Sequence, residues 1–228
     1  MSGGIVNKAK IFELIQKEEE LAKEKLNLML SRPGKLIVFE GVDSSRKTMV
    51  HKVLRERIGS RSDVVFSQEP TDGEYGRKVR EALKAGNVSV EELLFFLMQD
   101  RIEHVKDVVV PSLKGGKVVI LDGYYLWSVA YLMSEYFSMR ELLFLNGLFS
   151  PAPDLVVYFE VPVEEVLRRV KEREQVFVFE GEDKLREVVG NYERVLAYFD
   201  VVRVNALLPI EELVNKVEEV VIDFIDRR

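Results

Sequence analysis

The sequence contains no cysteine. Disulfides and thiolate-ligated zinc are therefore excluded. Histidine is nearly as scarce, with only His51 and His104, which argues against a histidine-rich metal site. No apolar run approaches the ~20 residues that a bilayer-spanning helix needs, so no membrane association is expected. The opening "MSGGIVNKAKIFELIQKEEE" lacks the continuous apolar segment of a secretory signal, and a cytoplasmic location is expected. A positive charge excess is missing too. The net charge is −6, from 33 Lys and Arg against 39 Asp and Glu. A general nucleic-acid binder needs a basic face for phosphate backbones, so that class is not expected.

What is present is ample core material. The 228 residues are 47% apolar and 32% charged, as in a soluble globular chain of one domain or one domain with an appendage. Residues 5–30 read as an amphipathic helix. Ile11, Leu14, Ile15, Ala22, Leu26 and Met29 form a rough apolar stripe, and "KEEELAKEK" supplies a solvated face of mixed sign. "SRPG" ends it. Residues 1–34 are thus expected to be a helical extension, packed on the domain or on a partner subunit.

From residue 35 short apolar runs alternate with helical stretches. "KLIVFE", "DVVFS", "KVVILD", "DLVVYFEV" and "VVRVN" are continuously apolar rather than alternating, as in a parallel sheet covered on both faces. The intervening helices are expected at 47–57, 75–86, 90–113, 128–147 (as one or two), 163–172, 183–199 and 209–226. The pattern predicts a three-layer α/β domain over 35–228, with a five-stranded parallel sheet. Ligands in such sheets sit beyond the carboxyl ends of the strands, which directs attention to 41–48, 68–73, 122–128 and 161–163.

The first of these segments is "GVDSSRKTM", between a strand and a helix. It matches the phosphate-binding P-loop pattern G-x-x-x-x-G-K-[ST] at Gly41, Lys47 and Thr48. Arg46 occupies the slot of the second glycine. Backbone N–H groups of 41–48, through Val42, Asp43, Ser44 and Ser45, would cradle an anionic phosphate with the helix N-terminus. Lys47 would bridge the β- and γ-phosphates, and the Thr48 hydroxyl would ligate Mg²⁺. Asp122 ends an apolar strand and suits a carboxylate near Mg²⁺ or the acceptor; a turn-capping role before Gly123 is the alternative.

The later segments "QEPTDGEYGRKVREAL", "QDRIEHV", "LDGYYLWSVAYL" and "PDLVVYFEVPVEEVLRRVKER" follow in order. Together with the P-loop they resemble the thymidylate kinase family of nucleoside monophosphate kinases, with "EPTDG" in the archaeal style. The resemblance runs from about residue 35 to the C-terminus. It implies the P-loop kinase fold, transfer of the γ-phosphoryl of ATP to a nucleoside monophosphate (usually dTMP), Mg²⁺ as cofactor and a homodimer. Carried over residue by residue, it implies that Asp43 lies near the acceptor phosphate. Glu69 and Pro70 match the family's Glu-Pro pair. Arg101 matches an acceptor-contacting arginine, Tyr124 belongs to the family's Asp-Arg-Tyr element, and Ser128 and Tyr131 fall at acceptor contacts. Without the resemblance, Arg101 would read as a solvated helix residue, Tyr131 as core, Trp127 as packing and His104 as structural.

Departures from the family pattern cluster in this site. Besides Arg46, Gly123 replaces the arginine of Asp-Arg-Tyr, Val178 replaces a lid arginine and Leu132 a glutamine. Leu97 stands where relatives carry a phenylalanine that stacks on thymine, while Phe96 would face another direction. Two accounts of Arg46 are open. It could supply in cis the cation missing at Gly123. Alternatively the site has decayed to a nucleotide-binding module: a side chain at a left-handed position costs roughly 1–2 kcal/mol, and a lost transition-state cation costs on the order of 10³-fold in rate. The changes at 97 and 132 also leave another pyrimidine monophosphate open as acceptor.

Overall fold

The computed structural model describes residues 33–134, 136–172 and 181–226, together with Lys10 and Glu13. The helix expected over 5–30 lies outside the described residues apart from those two, and Val178 lies outside them as well.

The five apolar runs form five strands, β1 Lys35–Glu40, β2 Val64–Gln68, β3 Val118–Asp122, β4 Leu155–Glu160 and β5 Val201–Asn205. They make one sheet in the order β2-β3-β1-β4-β5, with every pairing parallel. Strand β1 is central. Ile37 pairs with Ile120 on one side and Leu155 on the other. Leu36, Ile37, Val38 and Phe39 point alternately to the two faces, yet all four are fully buried. Both faces are therefore covered, which is why the run is apolar without alternation.

The covering helices are α1 Lys47–Ile58, α2 Glu74–Ala85, α3 Val90–His104, α4 Val110–Lys114, α5 Tyr125–Leu132, α6 Met139–Gly147, α7 Val163–Lys171, α8 Glu182–Leu196 and α9 Ile210–Asp226. Helix α1 packs on α9, α2 on α3 and α5 on α8. Two expectations are refined. The stretch 128–147 is two helices, the second opened by a capping box between Ser138 and Glu141. The stretch 90–113 is not uniform, because a π-helical turn at Val105–Val109 separates α3 from α4. Pro111 explains it: proline lacks an N–H and its ring crowds the carbonyl four residues back, so the turn before it widens.

The connection from β1 to β2 runs toward one edge of the sheet, and β4 and β5 lie toward the other. The crevice past the end of β1 is thus the place where this fold binds ligands. Among the described residues no helix is long and apolar enough to cross a membrane.

Candidate active site

Residues 41–46 link β1 to α1 by a tightly wound loop. Gly41 has φ 150, and a Cβ there would meet the Phe159 carbonyl oxygen at 2.9 Å. The loop therefore needs glycine to pass against β4. Ser44 and Arg46 both adopt the left-handed conformation, with φ 66 and φ 73. Left-handed residues of this kind are a feature of anion nests, while the Ser45 N–H between them donates to the Val42 carbonyl at 3.1 Å. The Lys47 ammonium donates to the Gly41 carbonyl at 3.2 Å and lies 3.8 Å from Asp43. The Asp43 N–H donates to the Tyr131 hydroxyl at 2.9 Å. Tyr131 thus braces the loop from behind.

Glu40, the last residue of β1, is wholly buried. It accepts from the Tyr124 N–H at 3.0 Å and the Tyr192 hydroxyl at 3.1 Å. Burial dominates its titration. It pushes the carboxyl up to about 8, against the opposing charge of Lys47 and the two hydrogen bonds. Between the ordinary value of 4.5 and about 8 the unfolded chain ionises this group while the folded chain keeps it neutral. Its contribution to stability is complete below that window and is lost as pH rises through it. Glu40→Gln is expected to remove that decline, whose slope is at most about 1.4 kcal/mol per pH unit. Urea unfolding of both proteins from pH 5 to 8 measures it, and parallel slopes would refute the assignment.

Past β3, Asp122 is nearly buried, and its Oδ1 has no hydrogen-bond partner among the described residues. A buried carboxylate oxygen without a hydrogen-bond partner, on a residue that lines the same cavity as the loop, suits a cation. No cluster of three or more His, Cys, Asp or Glu side chains that could hold a metal by themselves occurs among the described residues. Gly123 has φ 77, and a Cβ there would meet the Glu69 carbonyl oxygen at 2.9 Å. Glycine at this position thus relieves both a strained backbone and a close contact.

The segment after β2 carries a buried ion pair. Glu69 accepts from Arg101 Nε at 2.7 Å and is joined to His104 Nδ1 at 2.9 Å. His104 Nε2 is 2.7 Å from the Ser67 hydroxyl. Arg101 also donates to Asn146 and, at 3.2 Å, to the Ser128 hydroxyl. Its guanidinium carbon lies 5.6 Å from the centre of the Tyr124 ring. Read without the family resemblance, Arg101 would be solvated; it is instead 1% exposed. Burial alone would raise the Glu69 carboxyl, but the Arg101 charge and the contacts with His104 bring it below the usual range. Nearby, Asp100 accepts from the Thr71 N–H at 2.9 Å, and Arg80 donates to the Pro70 and Thr71 carbonyls at 3.1 and 2.7 Å.

These groups open onto one cavity of about 790 Å³. Asp43, Ser44, Ser45, Arg46, Lys47, Thr48, Glu69, Leu97, Arg101, Asp122 and Tyr124 all line it. Gly41, Val42, Ser128 and Tyr131 do not. The first two shape the loop, Ser128 sits behind Arg101, and Tyr131 sits behind Asp43. Phe96 stays outside the cavity, its ring 6.4 Å from Tyr75, while Leu97 faces in. Trp127 lines the cavity and stacks on Tyr131 at 4.3 Å. Sequence reasoning missed Arg80, Lys84 and Arg169 in the wall, and Glu40, Tyr192 and Asn146 behind it. For Glu40 a signal existed: a charged residue closing an otherwise apolar central strand is buried by its position, so it needs partners.

The family model described as thymidylate kinase matches residues 39–217. A probable thymidylate kinase of Pyrococcus abyssi is 38% identical over 192 residues, covering 79% of this chain and 92% of the relative. Its counterpart in Pyrococcus horikoshii is 36% identical over 189 residues, with the same coverage. A thymidylate kinase of Desulfotalea psychrophila is 38% identical over 164 residues, covering 70% and 81%.

Proposed function

The chain belongs to the thymidylate kinase family, and on that premise we propose that it transfers the γ-phosphoryl of ATP to thymidine monophosphate, giving thymidine diphosphate and ADP. The observation that carries this reading is the one cavity lined by the Lys47 cradle, by Asp122 with its unpartnered carboxylate oxygen, and by the Glu69–Arg101 pair. Donor phosphates, metal and acceptor can meet there.

Phosphoryl transfer asks little covalent work of a protein. It asks for alignment and for charges placed where negative charge spreads. The β-phosphate is held by N–H groups of 41–48 other than those of Asp43 and Ser45, which donate to the Tyr131 hydroxyl and the Val42 carbonyl, and Lys47 spans the β- and γ-oxygens. The Thr48 hydroxyl and the Asp122 carboxylate would hold a magnesium ion, whose chemistry there would be charge neutralisation. Asp43 borders the acceptor phosphate. On the other wall Arg101 presents a guanidinium whose orientation Glu69, Asn146 and Ser128 fix in advance, so no ordering is needed when the acceptor arrives. Leu97 offers an apolar surface to the base where an aromatic ring would stack. The protein acts in the cytoplasm as a homodimer, and its mass in solution tests the dimer.

The test is ADP formation with ATP, Mg²⁺ and a panel of monophosphates, namely thymidine, deoxyuridine, uridine, cytidine and guanosine. Thymidine monophosphate is expected to give the highest kcat/KM. A better pyrimidine would move the acceptor assignment. Thermal stabilisation by ATP without turnover on any acceptor would instead mark a nucleotide-binding protein that no longer transfers phosphate.

A further inference from the structure

Arg46 holds a backbone conformation that favours glycine, with φ 73 and ψ 5. Its guanidinium does not turn toward Gly123. Its Nη1 donates to the Leu208 carbonyl at 3.0 Å, across 162 residues of sequence. Leu208 lies in the turn between β5 and α9. A second arginine reaches the same turn. Arg169, on α7, donates to the Ala206 carbonyl at 3.0 Å and to the Ser44 carbonyl at 2.8 Å. Its Nε is held by Glu165 at 2.7 Å. Ser44 and Arg46 are the two left-handed side-chain residues of the P-loop. Each is tied to one turn, Ser44 by its carbonyl through Arg169 and Arg46 by its own side chain. The turn has its own braces, from Ala206 N–H to the Glu160 carbonyl at 2.9 Å and from Leu207 N–H to Asn205 Oδ1 at 2.9 Å.

Position in the sheet gives this staple its meaning. Glu69, Leu97 and Arg101 occupy the β2–β3 side of the P-loop, where the acceptor is assigned. The β5–α9 turn is on the opposite side, past β4. A donor whose phosphates lie in the loop must therefore extend its nucleoside toward that turn. Resting on the kinase reading above, we propose that Arg46 is a positioning residue for the donor: with Arg169 it locks the P-loop to the β5–α9 turn in the geometry that receives ATP, and it does not contact the transferring phosphoryl group.

Three substitutions separate the possibilities. Arg46→Lys and Arg46→Met share the left-handed backbone and differ in whether a donor can reach Leu208. Arg46→Gly removes the strain and the staple together. The expected result is a roughly tenfold rise in KM for ATP in Arg46→Met and Arg46→Gly, at least half recovered in Arg46→Lys. The kcat should stay within about threefold, and KM for the acceptor should not change. Amide exchange at 207 and 208 is expected to quicken in the Met and Gly variants. A fall in kcat of about 10³-fold with KM for ATP unchanged would overturn the proposal in favour of a transition-state contact. A gain in kcat/KM in Arg46→Gly would overturn it in favour of damage. Equilibrium ATP binding reads the same series without turnover. If the wild type proved inactive on every acceptor, a roughly tenfold weaker ATP affinity in the Met and Gly variants would still support the staple, and unchanged affinity would refute it.

Discussion

Lys47→Met is expected to lower kcat by at least about 10³-fold while the protein stays folded. Methionine keeps the length and packing of the stem and deletes only the ammonium. In the free protein that ammonium rests on the Gly41 carbonyl at 3.2 Å, a contact it can exchange for phosphate oxygens without moving far. Charge spreads over the γ-oxygens in the transition state, and one well-placed cation is worth several kcal/mol there. Little stability is at stake. The Lys47–Asp43 pair is long at 3.8 Å, and Asp43 is partly exposed, so the pair is worth under ~1 kcal/mol. A second effect follows from the same deletion. Lys47 is the largest influence holding the Glu40 carboxyl down against burial, so Glu40 should titrate even higher in the variant. Steady-state kinetics with saturating ATP and a thermal melt measure both aspects. A kcat within about tenfold of wild type would remove Lys47 from the transition state.

The features legible in the sequence were those that depend on neighbours in the chain. The P-loop was readable because Gly41, Lys47 and Thr48 sit at fixed spacing after an apolar run. The strands were readable because a sheet covered on both faces imposes apolar residues at every position. What stayed hidden depends on partners far along the chain. Arg46 was visibly out of place, but its target, Leu208, follows the last strand. Arg169 lies on a helix whose Glu165, Arg168 and Glu172 pairs read as a solvated surface, yet it turns inward to two carbonyls. Arg101 reads as solvated from its helix alone. Its burial needs Glu69, Asn146 and Ser128 from three separate segments. Gly123 shows the opposite limit: its departure from the family pattern was visible, but its backbone reason, a left-handed residue against the Glu69 carbonyl, was not.

Arg101→Met should be the most destabilising single change in the site. The guanidinium is 1% exposed and its partner Glu69 4%. Deleting one member of a buried pair strands the other, at a cost of about 3–5 kcal/mol. The pH dependence identifies the cause. In the wild type Glu69 titrates below the ordinary carboxylate range. Its contribution is present above 4.5 and is lost as pH falls through the folded value. Without Arg101, burial, the largest influence on this carboxyl, is opposed only by His104. The folded value then rises above the unfolded one, and stability is lost as pH rises instead. The deficit of Arg101→Met in urea unfolding should therefore be smaller near pH 5 than near pH 8. Replacing both partners, Arg101→Met with Glu69→Leu, removes the stranded charge and should recover at least half of the loss, because an apolar pair of similar volume avoids the desolvation cost. A double variant no more stable than the single, or a deficit independent of pH, would mean that Arg101 stabilises the fold through Asn146, Ser128 and Tyr124 rather than through its charge. The acceptor wall would then be held by packing and neutral hydrogen bonds, with the Glu69–Arg101 pair serving only to aim the guanidinium.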